Sequence, residues 1–262
     1  MHDTGVIGII MDIPGLFYRA YQYEHLGIAE GKAWVETALE QQRKQLSKHS
    51  QAFFQDTYSM AKQLFLGNSG GSYAYETSIE RALAALVEKA CLAEQNVYGY
   101  GIWENHIAPM VTIAQELSFV HGADSEVVRI ATLLHDLAGI EDFSKAKEHH
   151  IHGATRARQI LGEAGYSADK TELVAQCILH HRGSLLLPKE SAEERCLADA
   201  DAVAHMSDLP SLFFVAYNRQ GLDFEEGRQW VMQKIKRDWQ KMSEIAREKY
   251  GNQYDAIIRL LC

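Results

Sequence analysis

A mostly apolar segment that ends in a histidine and an aspartate constrains this fold more than any other feature of the sequence. Residues 127–134 present apolar side chains on nearly every face of a helix, and Asp124 before them is a good N-cap residue. Such a helix belongs in a protein core. His135 and Asp136 follow directly, so a polar pair lies at the edge of that core and needs a compensating partner.

A divalent cation would compensate this pair. Adjacent helical residues point about 100° apart, so His135 and Asp136 can both reach one ion only near a helix end, which is where they lie. His106 and Asp199, on two other predicted helices, are the candidates for the remaining ligands. Two imidazoles and two carboxylates suit a borderline or hard divalent ion and leave room for water and substrate. Asp201 is the weaker candidate, because two helical residues span about 200° and it should face away from Asp199.

The rest of the chain has the pattern of an all-α protein. It contains only four prolines and sustains no β-type alternation, whereas apolar residues recur with helical periodicity. The pattern predicts helices near residues 78–91, 103–119, 125–134, 149–162, 171–181, 193–205 and 223–249. The last of these is long and charged.

A glycine- and serine-rich stretch at residues 67–72 reads as a linker and sets a domain boundary. We therefore expect an N-terminal helical extension of unknown function at residues 1–72, a core at 73–210, and C-terminal helices at 211–262 that pack on that core. The extension carries apolar residues at a spacing of seven. This stripe favours packing against the rest of the protein, and a homodimer is the alternative. Its members are Leu39, Leu46, Phe53 and Met60.

Charge and composition exclude several classes of protein. The chain has 26 basic and 35 acidic side chains, a formal net charge of −9, which argues against binding to a nucleic-acid backbone. It has no basic leader and no apolar run long enough to span a bilayer, so no membrane association is expected. Its four cysteines form no C-x-x-C pair. A reduced, cytoplasmic protein is the simplest interpretation.

The order of His106, then His135-Asp136, then Asp199 resembles the H…HD…D signature of the HD-domain metal-dependent phosphohydrolases. The flanking segments are similar as well, over residues 78–210. The resemblance implies an all-α HD-domain helical bundle with one or two divalent ions, held by His106, His135, Asp136 and Asp199. It also implies hydrolysis of a nucleotide or other small phosphoester by a metal-bound water. Mn, Co, Ni, Fe, Mg and Zn all remain admissible with this donor set.

Further polar residues cluster in the same region, since nine of the 12 histidines lie between residues 106 and 205. His149, His152, His180 and His181 could bind a second metal or contact a phosphate, and the sequence leaves this choice open. Arg156, Arg182 and Lys145 are candidates for phosphate binding. Glu141 and Asp142 are candidates, beside Asp136, for orienting or deprotonating the attacking water.

Two other functions fit the same residues. Helical HD-type proteins include oxygenases that hold two irons, and the positions of His149 and His180 would permit such a site. A non-catalytic, metal-stabilised sensing module is the other alternative. Metal content and turnover would distinguish the three.

Overall fold

The computed structural model describes residues 12–46, 48–53, 75–182 and 187–261, with positions 55, 58, 59 and 62 between the second and third ranges. Helices and no strand occur in these ranges, which confirms the all-α prediction. The helices are α1 Ile13–Gln22, α2 Ile28–Gln45, α3 Lys48–Phe53, α4 Ser78–Cys91, α5 Ala108–His121, α6 Ser125–Leu134, α7 Leu137–Glu141, α8 His149–Glu163, α9 Ala168–His180, α10 Ala192–Ser207, α11 Leu209–Phe214, α12 Phe224–Lys241 and α13 Glu244–Leu261. None of the helices described is both long and apolar enough to cross a membrane.

The chain divides into two compact units. The first comprises the described parts of Met1–Ser69, Met206–Lys236 and Gly251–Cys262, and the second those of Gly70–His205 and Arg237–Tyr250. Residues 211–262, expected as C-terminal helices that pack on the core, contribute to both units.

The core of the second unit is built around α6. Every residue of Val127–Leu134 is buried, as the apolar pattern predicts. Helices α4, α5 and α9 pack on α6, and α8 packs on α9. Gly153 in α8 permits this close packing, because a Cβ there would lie 3.0 Å from Ile178 Cγ2 and 3.2 Å from the His135 carbonyl oxygen. The polar pair after α6 is therefore held against α8.

A tight connection between α5 and α6 fixes where α6 begins. Gly122 ends α5 in the left-handed conformation, with φ of 65°. Asp124 then caps α6, since its Oδ1 accepts hydrogen bonds from the backbone N–H groups of Glu126 and Val127. Both caps depend on residues that are close in sequence, so the start of this helix could be predicted correctly.

The expected long helix over residues 223–249 is instead two helices, α12 and α13, and that prediction is wrong. The break lies at Met242 and Ser243. Ser243 starts α13, because its Oγ accepts a hydrogen bond from the backbone N–H of Ala246. The same hydroxyl donates to Asp199 Oδ2 at 2.6 Å, so a side chain in another helix helps to fix the break.

The first unit has a core of stacked aromatic rings. Phe17 of α1 stacks on Phe213 of α11, and Phe213 stacks on Tyr217, with ring centroids 5.6 and 5.5 Å apart. Leu39 and Leu46, two members of the expected stripe, are buried. The Phe53 side chain, Met60 and the linker at 67–72 lie outside the described residues, so the dimer alternative stays a prediction.

Candidate metal centre

His135 and Asp136 lie in the turn between α6 and α7, where the buried helix stops. The His135 Nδ1–H donates to the Thr132 carbonyl at 2.7 Å, which leaves a lone pair on Nε2 in the neutral ring. That Nε2 lies 3.3 Å from Asp136 Oδ2. The end of α6 therefore presents one imidazole nitrogen and one carboxylate oxygen side by side.

Two other elements complete a first donor group. His106 lies in the π-helical turn Trp103–Ile107 that leads into α5, and Asp201 lies in α10. His106 Nε2 is 3.2 Å from His135 Nε2 and 3.4 Å from Asp201 Oδ1. It is also 3.8 Å from Asp136 Oδ2. We call these four residues the first donor group. Within it, His106 is close both to the pair His135-Asp136 and to Asp201, which also lies near His205.

A second donor group shares Asp136. His149, the first residue of α8, has its Nε2 3.5 Å from Asp136 Oδ1 and 3.2 Å from the Nε2 of His181, which follows α9. Donor atoms of Asp136, His149 and His181 all lie within 4.8 Å of one another. The two oxygens of Asp136 therefore point to two different sets of imidazoles.

The chemistry of the donors fits cations in both groups. His149 and His181 each donate Nδ1–H to a backbone carbonyl, of Ala146 at 2.8 Å and of Ile178 at 2.6 Å. In the neutral state these two rings would face each other with two lone pairs and no hydrogen between them. A cation satisfies both, because two nitrogens bound at about 2.1 Å to one ion lie about 3.0–3.4 Å apart. Fixing Nδ1 in this way is how proteins orient metal-binding histidines.

In the metal-free protein the acidic and imidazole groups of the centre shift one another's pKa values. Burial disfavours protonation of His135, but Asp136 and Asp201 outweigh it and raise its pKa to about 9. Burial likewise disfavours ionisation of Asp136, but the surrounding histidines hold its pKa well below the usual range. Burial, with His149 and His135 nearby, keeps the pKa of His181 well below its ordinary value. The centre therefore keeps its shared carboxylate ionised.

Asp199, expected as the fourth ligand, lies outside both donor groups. Its Oδ2 contacts His121 Nε2 at 2.8 Å and accepts from Ser243 Oγ, and its Oδ1 accepts from the Ser243 backbone N–H at 2.8 Å. Asp201 faces the opposite side of α10, as two helical residues require, and that side carries the centre. The structure therefore exchanges the positions expected for the two aspartates.

This exchange predicts opposite phenotypes for two isosteric substitutions. Asp201→Asn should weaken metal binding by at least about 100-fold, since it removes a charged donor. Asp199→Asn should keep the metal stoichiometry and lose about 1–3 kcal/mol of stability, because it breaks a buried charged hydrogen-bond cluster. Metal titration and thermal unfolding of both variants check this. Loss of metal from Asp199→Asn with full retention in Asp201→Asn would restore the sequence-based assignment.

Several other candidates from the sequence are engaged elsewhere. His152 Nε2 lies 3.9 Å from Glu148 Oε2, and His180 Nδ1 lies 2.8 Å from Glu194 Oε2. Of the four additional histidines, the centre therefore brings together His149 and His181 alone. His152 and His180 keep acidic partners outside it.

The acidic residues at and after the end of α7 pair with basic side chains. Glu141 receives two hydrogen bonds from Arg156, at 2.9 and 3.0 Å. Asp142 accepts from Ser144 and forms an ion pair with Lys145 at 3.2 Å. In this structure the four side chains are therefore paired in two ion pairs, and the roles expected for them stay predictions. Arg182 donates to the Lys147 carbonyl and follows His181 directly, so it remains next to the second donor group.

Three residues of the centre's surroundings are absent from the sequence-based set. They are His205, Asp238 and Lys241. His205 stacks on His106, with ring centroids 4.7 Å apart, and its Nδ1 is 3.0 Å from Asp238 Oδ2. A signal for His205 existed, since it lies one helical turn after Asp201 on the same face. Nothing in the local sequence marks Asp238 or Lys241.

Comparison with known proteins agrees with this geometry. Residues 103–206 match the family model of the HD domain. An 88-residue stretch is 32% identical to a bifunctional uridylyltransferase/uridylyl-removing enzyme of Nitrobacter hamburgensis. That match covers 34% of this chain and 9% of the relative, so the chain spans a small part of that protein. No solved structure matches the chain.

Proposed function

We propose that this chain, which carries an HD domain at residues 103–206, is a metal-dependent phosphohydrolase that acts on a nucleotide or another small phosphoester. One observation carries the proposal. Asp136 offers its two oxygens to two adjacent sets of imidazoles, at 3.3 Å from His135 Nε2 and 3.5 Å from His149 Nε2. Asp136 and these imidazoles would hold one or two divalent ions, which would supply the charge stabilisation needed to displace one phosphate oxygen by another.

A divalent ion bound to such donors lowers the pKa of a coordinated water and polarises a phosphoryl oxygen. The chain's own residues have simpler tasks. The carbonyls of Thr132, Ala146 and Ile178 hold the imidazoles in one tautomer. Asp136 and Asp201 supply negative charge that balances the ion. Arg182, next to the second donor group, neutralises charge on the bound phosphate.

The substrate class rests on two supports. The donor groups combine carboxylate oxygens with imidazole nitrogens, a mixed hard and borderline donor set that suits ions which bind phosphate oxygens. The relative from Nitrobacter hamburgensis carries a uridylyl-removing activity in its name. A nucleotide-linked phosphate is therefore the first substrate to test.

The experiment is metal content per chain, by elemental analysis of protein purified without added metal or chelator, combined with turnover of a phosphoester panel. The panel contains nucleoside mono-, di- and triphosphates and p-nitrophenyl phosphate. We expect about one to two equivalents of a divalent metal and phosphate release that stops on chelation and returns on reloading. Protein stripped of metal and reloaded with calcium serves as the control for non-specific cation effects.

Other outcomes would select a different function. Two irons per chain with oxygen consumption would support the HD-type di-iron oxygenase. Bound metal with no turnover, and a melting temperature that falls on chelation, would support a metal-stabilised sensing module. A chain that neither contains nor takes up metal would contradict the centre itself.

A further inference from the structure

The two oxygens of the Asp201 carboxylate face different partners, and Oδ1 also lies 3.5 Å from His205 Nδ1. Its Oδ1 faces the first donor group, 3.4 Å from His106 Nε2 and 3.9 Å from His135 Nε2. Its Oδ2 accepts a hydrogen bond from the Lys241 ammonium group. One oxygen is thus directed to the metal position and the other to a cation supplied by the protein.

The Lys241 ammonium group is buried and contacts one other carboxylate besides that of Asp201. Its side chain is 1% exposed, and its Nζ lies 3.5 Å from Asp238 Oδ1, one turn earlier on α12. Asp238 in turn contacts His205 through Oδ2. A buried ammonium with two carboxylates beside it is held in place by charge and by geometry, because either acid alone would be costly to bury.

These residues lie outside the segment that matches the HD domain. The match ends at residue 206, whereas Asp238 and Lys241 come from α12. They nevertheless belong to the same compact unit as the donor groups. The end of α12 therefore contributes directly to the surroundings of the centre, beyond packing on its core.

We propose that Lys241 is a positioning residue that restricts Asp201 to one-oxygen ligation, so that one coordination position stays open for water or a phosphoryl oxygen. The proposal rests on the proposed function for the identity of the metal centre. Its physical basis is that a carboxylate can bind a metal ion through one oxygen or through both. An ammonium group that is hydrogen-bonded to Oδ2 prevents this second oxygen from binding the ion.

The test is the variant Lys241→Met loaded with cobalt(II), whose visible absorption per ion falls as its coordination number rises. We expect cobalt to remain bound and its absorption to fall by about two-fold or more, because Asp201 gains a second bond to the ion. With the native metal, kcat should fall about 10- to 100-fold. Lys236→Met removes the same charge from the same helix and should change neither quantity.

A second variant separates positioning from simple neutralisation of buried acids. Lys241→Met combined with Asp238→Asn keeps the summed formal charge of the wild type, which also protects the fold if the single variant unfolds. Positioning requires the cobalt spectrum of this double variant to remain altered. A spectrum and kcat restored to wild-type values would overturn the proposal, as would an unaltered spectrum in the single variant.

The outcomes also distinguish this inference from the proposed function. Wild-type protein that binds cobalt but hydrolyses no phosphoester contradicts the proposed function, while an altered Lys241→Met spectrum still supports positioning. Wild-type protein that takes up no cobalt contradicts both. Turnover by the wild type with no spectral effect of the substitution contradicts the role of Lys241 alone.

Discussion

Asp136→Ala should abolish both metal binding and hydrolysis. The substitution removes the one carboxylate that both donor groups share, since its oxygens lie 3.3 Å from His135 and 3.5 Å from His149. Loss of roughly 4 kcal/mol of transition-state stabilisation corresponds to about a 10³-fold fall in kcat/KM. Elemental analysis should find metal reduced to a small fraction of the wild-type content. Kinetics on the best substrate of the panel measure the second effect.

The matched control is Asp169→Ala, which removes an exposed carboxylate from the first turn of α9. This variant should keep its metal and its activity, with a change in stability below about 1 kcal/mol. Full metal content in Asp136→Ala would show that the assignment of the centre is wrong. Equal losses in both variants would point to a general effect of removing negative charge.

The largest effect on stability should follow from Arg129→Met. Arg129 lies in α6 with its side chain 2% exposed, and it donates two hydrogen bonds to Glu80 Oε1, at 2.8 and 3.0 Å. The Glu80 side chain is fully buried. Breaking such a pair from one side leaves a charge without compensation and costs about 3–5 kcal/mol. Thermal unfolding should show a decrease in Tm of about 10 °C.

Two further variants isolate the cause of that loss. Arg158 makes the same kind of pair with Glu172, at 2.8 Å, but its side chain is 39% exposed. Arg158→Met should therefore cost no more than about 1 kcal/mol. Arg129→Met combined with Glu80→Gln should recover much of the stability, since Gln keeps the oxygen that caps α4 and removes the charge. A loss below about 1 kcal/mol in Arg129→Met would rule out the buried-charge argument.

Local features of the fold could be predicted from the sequence. The apolar face pattern of 127–134 and the cap at Asp124 define α6, and both act within a few residues. The pair His135-Asp136 at the end of that helix follows from the same pattern. The helix Ser78–Cys91 could be predicted equally well, because Thr77 and Glu80 form a capping box.

The choice among equivalent polar residues could not be predicted in this way. Asp199 and Asp201 are both buried in α10, and only the partners of that helix decide which one faces the centre. The same holds for His149 and His152, which differ by less than one turn of α8. Lys241 reaches Asp201 across 40 residues of chain, a separation that no local pattern encodes. Tertiary packing decides these questions.

Three histidines of the centre share one local arrangement. His135, His149 and His181 each bond, through Nδ1, to a carbonyl oxygen three residues earlier in the chain. Each ring is thus preorganised by its own backbone segment, and little conformational entropy remains to be lost when a ligand arrives. Affinity at this centre then depends on how accurately whole helices are docked, so substitutions that shift α8 or α9 should loosen it even when every donor side chain is retained.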